Sequence, residues 1–200
     1  MPGRERFFPT YHGCVEMAVG QVGLVMEFVG DGDTGETMPL GKVLFTGSPV
    51  LTPQDWFSVA NDIVQAVRFV HDHDHILNDL KEDNVLLSRS DGKWRAVVID
   101  FGWVRHQSNP IVFSFSDRTK TQYSQEGLYD HIAPEVALLD ESTSTVSDVY
   151  QLGRLIRLIG ARAGNRHLFE LGQNCCHATA LFRPSIPVVL RELDHLAASY

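Results

Sequence analysis

Asp79-Leu80-Lys81-Glu82-Asp83-Asn84 runs into the apolar Val85-Leu86-Leu87, and Asp100-Phe101-Gly102 closes the next apolar run, Ala96 to Ile99. Between the two runs stands the turn signal Ser90-Asp91-Gly92, so they read as a small hairpin that brings two carboxylates and a carboxamide to strand ends. That set suits divalent-metal phosphoryl transfer. A carboxylate and an amide oxygen can hold Mg²⁺, a second carboxylate can orient a hydroxyl, and a lysine can meet the transferred phosphate. Asp79, Lys81 and Asn84 hold the spacing D-x-K-x-x-N.

Upstream, Thr52 can cap a helix, Pro53 suits its first position and Asp55 stands at capping-box spacing. Trp56, Val59, Ile63, Val64, Val67 and Val70 then recur at helical period. Val22 to Val29 is a short apolar run read as a buried strand, followed by a loop reaching roughly to Pro49. Downstream, Trp103 to His131 is rich in Ser, Thr and Gln and reads as a long surface loop; helices are expected over Pro134 to Leu139, Val146 to Ile159 and Ile186 to Ala198.

The 200 residues give a length prior of one domain, and 44% hydrophobic with 21% charged residues is an ordinary globular composition. A net charge of −8 without a basic stripe argues against nucleic acid, whose binders neutralise phosphates with Lys and Arg. Three cysteines, Cys14 and the adjacent Cys175 and Cys176, form neither a disulfide framework nor a zinc pattern. Met1 to Phe8 holds no apolar leader core and no apolar run is long enough to span a bilayer, so a cytoplasmic protein without membrane contact is expected. Oligomeric state leaves no signature.

Three strings compete for attention and carry less. Gly30 to Gly35 spells G-x-G-x-x-G, but Asp31 and Asp33 would repel phosphates and no helix pattern follows, so an acidic linker is the better reading. Calcium fails there too, because Lys42 occupies the place of the bidentate Glu. His71, His73 and His75 read as a solvated helix end, and Cys175-Cys176-His177 has no chelating spacing.

Taken in order, Asp79 to Asn84, Asp100-Phe101-Gly102 and Ala133-Pro134-Glu135 resemble the catalytic loop, the D-F-G and the A-P-E of the eukaryotic protein kinase family. Alone, each would pass for a polar loop, a strand-end turn or a helix start with Pro at its first position. Gly127 stands where the segment between D-F-G and A-P-E usually has a glycine. Ser147 to Gly153 looks like the start of the buried central helix, with Asp148 as its anchor, and Arg183 resembles the arginine that pairs with the A-P-E glutamate, here Glu135. Val25 to Val29 is similar to the strand and hinge beside adenine.

The resemblance implies an α+β protein-kinase-like fold: a mainly α-helical large lobe over residues 31–200 and a remnant of the β-rich small lobe with the hinge over residues 1–30. It implies ATP and Mg²⁺ as cofactors, a protein substrate, and transfer of the γ-phosphate to Ser or Thr. Asp79 and Lys81 would be catalytic, Asn84 and Asp100 would hold the metal, and Met26, Glu27, Val29 and Leu86 would line the adenine site. Phe101, Gly102, Glu135, Asp148 and Arg183 would be structural.

Two departures qualify this. Leu77-Asn78 precede Asp79 where the family usually has His-Arg, so a phosphate on Ser114, Ser116, Thr119, Thr121 or Tyr123 meets no guanidinium there and is not expected to switch the protein. No room precedes Val22 for the glycine-rich strand pair, the ATP-anchoring lysine and its glutamate partner, so most of the small lobe is expected to be missing and the isolated chain to be slow or inactive. A non-catalytic kinase-like interaction module is the alternative. A small-molecule phosphotransferase ranks third, against A-P-E and the long segment before it.

Overall fold

The computed structural model describes residues 7–18, 20–30, 34–90 and 92–198. Two strands, β1 (Tyr11–Ala18) and β2 (Gln21–Met26), pair antiparallel. Val15, Met17, Val22 and Leu24 on this ribbon are exposed, against the expectation of a buried strand at Val22 to Val29. An apolar run reads as buried from its composition, but burial needs a second layer, and β2 is hydrogen-bonded to β1 alone among the described strands.

After the linker, whose Asp31, Gly32 and Asp33 lie outside the described residues, comes helix α1 (Leu40–Thr46), inside the stretch expected as loop. Leu40, Val43 and Leu44 bury one face of it. Helix α2 (Pro53–His71) starts as its sequence dictates: Asp55 N–H donates to Thr52 Oγ1 at 3.2 Å, and Thr52 N–H donates back to Asp55 Oδ2 at 2.9 Å. Such a cap contributes about 1 kcal/mol. Its apolar stripe, Val59, Ile63, Val64 and Val67, is fully buried.

The short strand β3 (His75–Ile76) leads to the Asp79 loop and a 3₁₀ turn, Glu82–Asn84. The hairpin follows as β4 (Val85–Ser90) and β5 (Lys93–Val98), paired Val85 to Val98 through Ser90 to Lys93; Asp91 of its turn lies outside the described residues. Leu87, Ala96 and Val98 are buried, β5 packs on α2, and the buried Asp62 of α2 accepts from Ala96 N–H at 3.2 Å.

The stretch expected as loop, Trp103 to His131, holds more order than its composition signals: strand β6 (Arg105–His106) pairs with β3, and helix α3 (Asp117–Thr121) passes into a π-helical turn, Gln122–Glu126. Ser116 caps α3 through Thr119 N–H at 3.2 Å, and Gly127 ends the turn at φ 67°, a conformation costly for most residues. Helix α4 (Pro134–Leu139) begins with Pro at its first turn.

Helix α5 (Thr145–Ala163) is the central element and extends beyond the expected Val146 to Ile159; Leu152, Leu155, Ile156 and Ile159 are fully buried. Against it lies α6 (Arg166–Cys175), which the sequence reading did not place. A Cβ at Gly153 would overlap the Cys175 side chain and one at Gly172 the Arg157 backbone, so these glycines let the two helices approach closely. Helix α7 (Ile186–Ala197) closes the core with Ile186, Val189 and Leu193. The architecture is α+β, dominated by helices, with three small two-stranded sheets among the described residues.

Candidate active site

The Asp79 loop is held from below by one turn of α5. Asp148, fully buried, accepts from Leu77 N–H at 2.7 Å and Asn78 N–H at 2.9 Å. Three residues on, Gln151 accepts from Leu80 N–H and donates to the Asn78 carbonyl, both at 2.8 Å. His71 Nε2 also meets Asp148 Oδ2 at 2.9 Å, which corrects the reading of this histidine as part of a solvated helix end. The periodicity of α2 shows where the helix stops, but a partner 77 residues away is a tertiary fact. His73 remains exposed at that end.

Within the loop, Lys81 Nζ lies 2.9 and 2.8 Å from the two carboxylate oxygens of Asp79. Asn84 Nδ2 donates to the Asp79 carbonyl at 2.8 Å and to Asp79 Oδ2 at 2.9 Å. Both amide hydrogens of Asn84 are thereby engaged with Asp79, and the group left to this side chain is an oxygen, the donor type a hard cation takes. Ile99 N–H donates to the Asn84 carbonyl at 2.9 Å, which sets Asp100 directly beside it in the chain path. Asp100 sits at φ 62° with its side chain at the surface, Oδ1 accepting from Gly102 N–H at 3.1 Å. Asn78 Nδ2 donates to the Trp103 carbonyl at 2.7 Å and stitches the two loops together. Phe101 packs edge-on against Phe8, ring centroids 5.6 Å apart.

The other candidate residues lie on other segments, before and after the Asp79 loop. Met26 ends β2, and Glu27 is tied to Thr10: its N–H donates to the Thr10 carbonyl at 2.8 Å and its carboxylate accepts from Thr10 N–H and Oγ1 at 3.0 and 2.9 Å. Those bonds lower its pKa. Val29 is buried. Leu86, half-buried on β4, connects to this side through a bridge to Pro39 and follows Asn84 by two residues. Glu135 and Arg183 form a buried bidentate pair at 2.7 and 2.6 Å, and Arg183 also donates to the Val146 carbonyl at 3.0 Å.

Beyond Gln151 and His71, two further residues escaped the sequence reading. His131 Nε2 lies 3.9 Å from Asp79 Oδ1; burial pushes its pKa below the ordinary value, with the Asp79 charge opposing. Arg154 joins Glu82 and, at 2.7 Å, Asp130, so that α5 also grips the 3₁₀ turn and the segment before α4. Burial is the largest influence on the Glu82 carboxyl and would raise its pKa, but the Arg154 hydrogen bonds, a backbone hydrogen bond and the Arg154 charge together outweigh it, and the pKa falls. For Gln151 and Arg154 a signal was present: with Asp148 they recur at intervals of three, polar positions among the apolar residues of the helix. His131 had none.

Elsewhere, burial pushes the Cys175 and Cys176 thiols up to about 12 and about 11, which marks them as inert packing groups. Among the described residues no three His, Cys, Asp or Glu side chains form a preformed metal cage, and no helix is long and apolar enough to cross a membrane. Mg²⁺ does not call for such a cage: it takes one or two protein oxygens and completes its octahedron with water and phosphate oxygens, and a carboxylate and an amide oxygen, the groups that Asp100 and Asn84 carry, are of the donor type it takes.

A family model described as protein kinase domain matches residues 10–169. The chain is 31% identical over 133 residues to a probable serine/threonine-protein kinase of Dictyostelium discoideum, covering 66% of this chain and 19% of that protein. It is 30% identical over 138 residues to a probable cAMP-dependent protein kinase catalytic subunit of Encephalitozoon cuniculi, covering 68% and 36%. To the serine/threonine-protein kinase PknB of Mycobacterium tuberculosis it is 34% identical over 130 residues, covering 65% and 18%. The chain thus spans well under half the length of these relatives.

Proposed function

This chain belongs to the eukaryotic protein kinase superfamily, and we propose that it is a serine/threonine-type kinase domain whose Asp79 cluster acts on Mg-ATP and a protein hydroxyl. The observation that carries the reading is that Lys81 and Asn84 both bond the Asp79 side chain, each within 2.9 Å, with Asp100 following the residue bonded to Asn84. In this reading residues 31–200 form the large lobe, and residues 1–30 contribute the hinge and what the chain has of a small lobe.

Asn84 and Asp100 would hold Mg²⁺, and the bound Mg-ATP would supply an electrophilic phosphoryl group with its charge partly neutralised. Asp79 orients the substrate hydroxyl and accepts its proton. Lys81, already against the Asp79 carboxylate, keeps that side chain in one rotamer and offers positive charge where negative charge develops. Glu27 and Val29 give backbone hydrogen bonds to adenine, and Met26 and Leu86 pack against it. Phe101 and Gly102 shape the turn that presents Asp100, while Asp148, Glu135 and Arg183 fix the loops from beneath. The cytoplasm supplies both ATP and protein substrates.

One observation favours a second reading, a kinase-like interaction module: neither β1 nor β2 carries a lysine that could anchor the phosphates of ATP. A radiolabel-transfer assay with a generic protein substrate, paired with nucleotide thermal shift, separates the two. The kinase reading expects Mg-ATP to raise the melting temperature and expects Asp79→Asn and Asp100→Asn each to cut transfer by at least ~100-fold. Absence of nucleotide binding by the parent chain would leave the module.

A further inference from the structure

His71, His73 and His75 stand at alternate positions where α2 ends, and each meets a different neighbour. His71 is bonded to Asp148, and the His73 ring lies against Phe69, centroids 4.2 Å apart. His75 opens β3 directly opposite His106 of β6, with the two rings nearly perpendicular and their centroids 5.2 Å apart. Gln107 N–H donates to the Asp74 carbonyl at 2.8 Å, so the ladder bond falls on the flanking residues. The histidine pair therefore takes the non-hydrogen-bonded position, where opposed side chains come closest.

The hydrogen bonds around the two rings leave Nε2 of each to a ligand. His75 Nδ1 bonds the His73 carbonyl, which can only accept, so Nδ1 carries the proton and Nε2 of the neutral ring keeps its lone pair. Ligating imidazoles are commonly held in this way, the second nitrogen donating to a carbonyl. Around His106 Nδ1 stand Ser108 Oγ at 2.8 Å and Ser108 N–H at 3.2 Å. The hydroxyl, at the shorter distance, can accept a proton from Nδ1 as well as give one, which frees Nε2 of His106 too.

We propose that His75 and His106 bind one divalent transition-metal ion of the Zn²⁺ type through Nε2 of each ring. Zn–N bonds of about 2.0–2.1 Å put the centre of a ligating imidazole about 3.2 Å from the ion, and two such rings at the tetrahedral angle stand about 5.2 Å apart. That is the separation of this pair. Imidazoles select for zinc, copper and nickel over Mg²⁺, which takes oxygen. No third His, Cys, Asp or Glu completes a cage among the described residues, so solvent fills the remaining positions and binding is weaker than at a structural zinc centre. The ion ties the strand that enters the Asp79 loop to the strand after the Asp100 turn, and its binding does not depend on phosphoryl transfer.

Zinc chloride titrated into the whole chain tests this, with excess Mg²⁺ present to occupy oxygen sites and NMR reading the ring signals residue by residue. Those of His75 and His106 should shift together, and the melting temperature should rise by mass action. His106→Ala, at an exposed position, should weaken Zn²⁺ at least tenfold as read at His75, equivalent to about 1.4 kcal/mol, while its metal-free melting temperature stays near that of the parent. His73→Ala should leave the affinity at the pair unchanged. Ring signals that stay in place at millimolar Zn²⁺ would overturn the proposal and leave the pair as an edge-to-face contact. An affinity unchanged in His106→Ala would overturn it as well, and so would an equal loss in His73→Ala, which would put the ion on the helix end instead.

Discussion

Replacing Asp148 by Asn tests whether α5 holds the Asp79 loop through this one carboxylate. The side chain is fully buried and accepts from Leu77 N–H at 2.7 Å, Asn78 N–H at 2.9 Å and His71 Nε2 at 2.9 Å. An amide has the same shape but only one oxygen. In the cheaper of its two orientations that oxygen keeps Leu77 and His71, and the new NH₂ is set against the Asn78 N–H. The loss is then one hydrogen bond to a carboxylate, about 1.5–3 kcal/mol, plus a buried backbone donor without an acceptor, about 1–3 kcal/mol. Relief from burying a charge offsets part of this, leaving about 3 kcal/mol. For a chain of 200 residues that corresponds to a fall in melting temperature of roughly 6–12 °C. Urea unfolding of parent and Asp148→Asn, with hydrogen exchange at the Leu77 and Asn78 amides, measures both effects. A variant within about 0.5 kcal/mol of the parent, with those amides still protected, would refute the reasoning.

Breaking the buried Glu135 and Arg183 pair from one side leaves the other charge uncompensated, so Arg183→Met is expected to cost about 3–5 kcal/mol in urea unfolding. Adding Glu135→Gln should then cost much less than it does alone; additive losses would mean that the pair is not coupled. Burial lowers the pKa of His131 in the folded chain, so below about pH 6.5 the unfolded chain takes up the proton first and stability falls as pH falls through that window. Against the parent, His131→Gln should lose less stability between pH 7.5 and pH 5.5; identical losses would remove His131 as a contributor. Glu82, whose folded pKa is depressed, gives up its share only further into acid, as pH falls through its own folded pKa.

Legibility followed locality. The cap of α2, its apolar stripe and the hairpin of β4 and β5 are set by residues a few positions apart, and the sequence reading placed them. α6 was missed although Leu168, Leu171 and Cys175 recur at helical spacing, because Gly172 interrupts a short segment and its reason for being there, a backbone-close approach to Gly153, lies on another helix. α1 was missed for a similar reason: it is seven residues long, Gly41 separates Leu40 from Val43 and Leu44, and Gly47 follows its end. In the site, the residue types at Asp79, Lys81 and Asn84 announce their chemistry. Among the groups that fix their geometry, Gln151 and Arg154 show in the sequence only as polar positions spaced along α5, with partners that are tertiary, and His131 becomes visible only when distant segments meet.

Backbone conformation makes the same point about cost. Asn78 at φ 70° and Asp100 at φ 62° both occupy the left-handed region, which costs an L-residue about 1–2 kcal/mol. Asn and Asp are the residue types that bear it best, since their short polar side chains bond locally. Asp100 does so through Gly102 N–H, whereas the Asn78 amide reaches the Trp103 carbonyl, 25 residues on. Asn78 is further pinned at both backbone polar atoms by Asp148 and Gln151. Strain that is over-determined by its surroundings in this way is characteristic of positions where geometry matters more than stability. Here the two strained residues immediately precede Asp79 and supply the Asp100 carboxylate itself. The chain spends stability at the two points from which its candidate chemical groups are aimed.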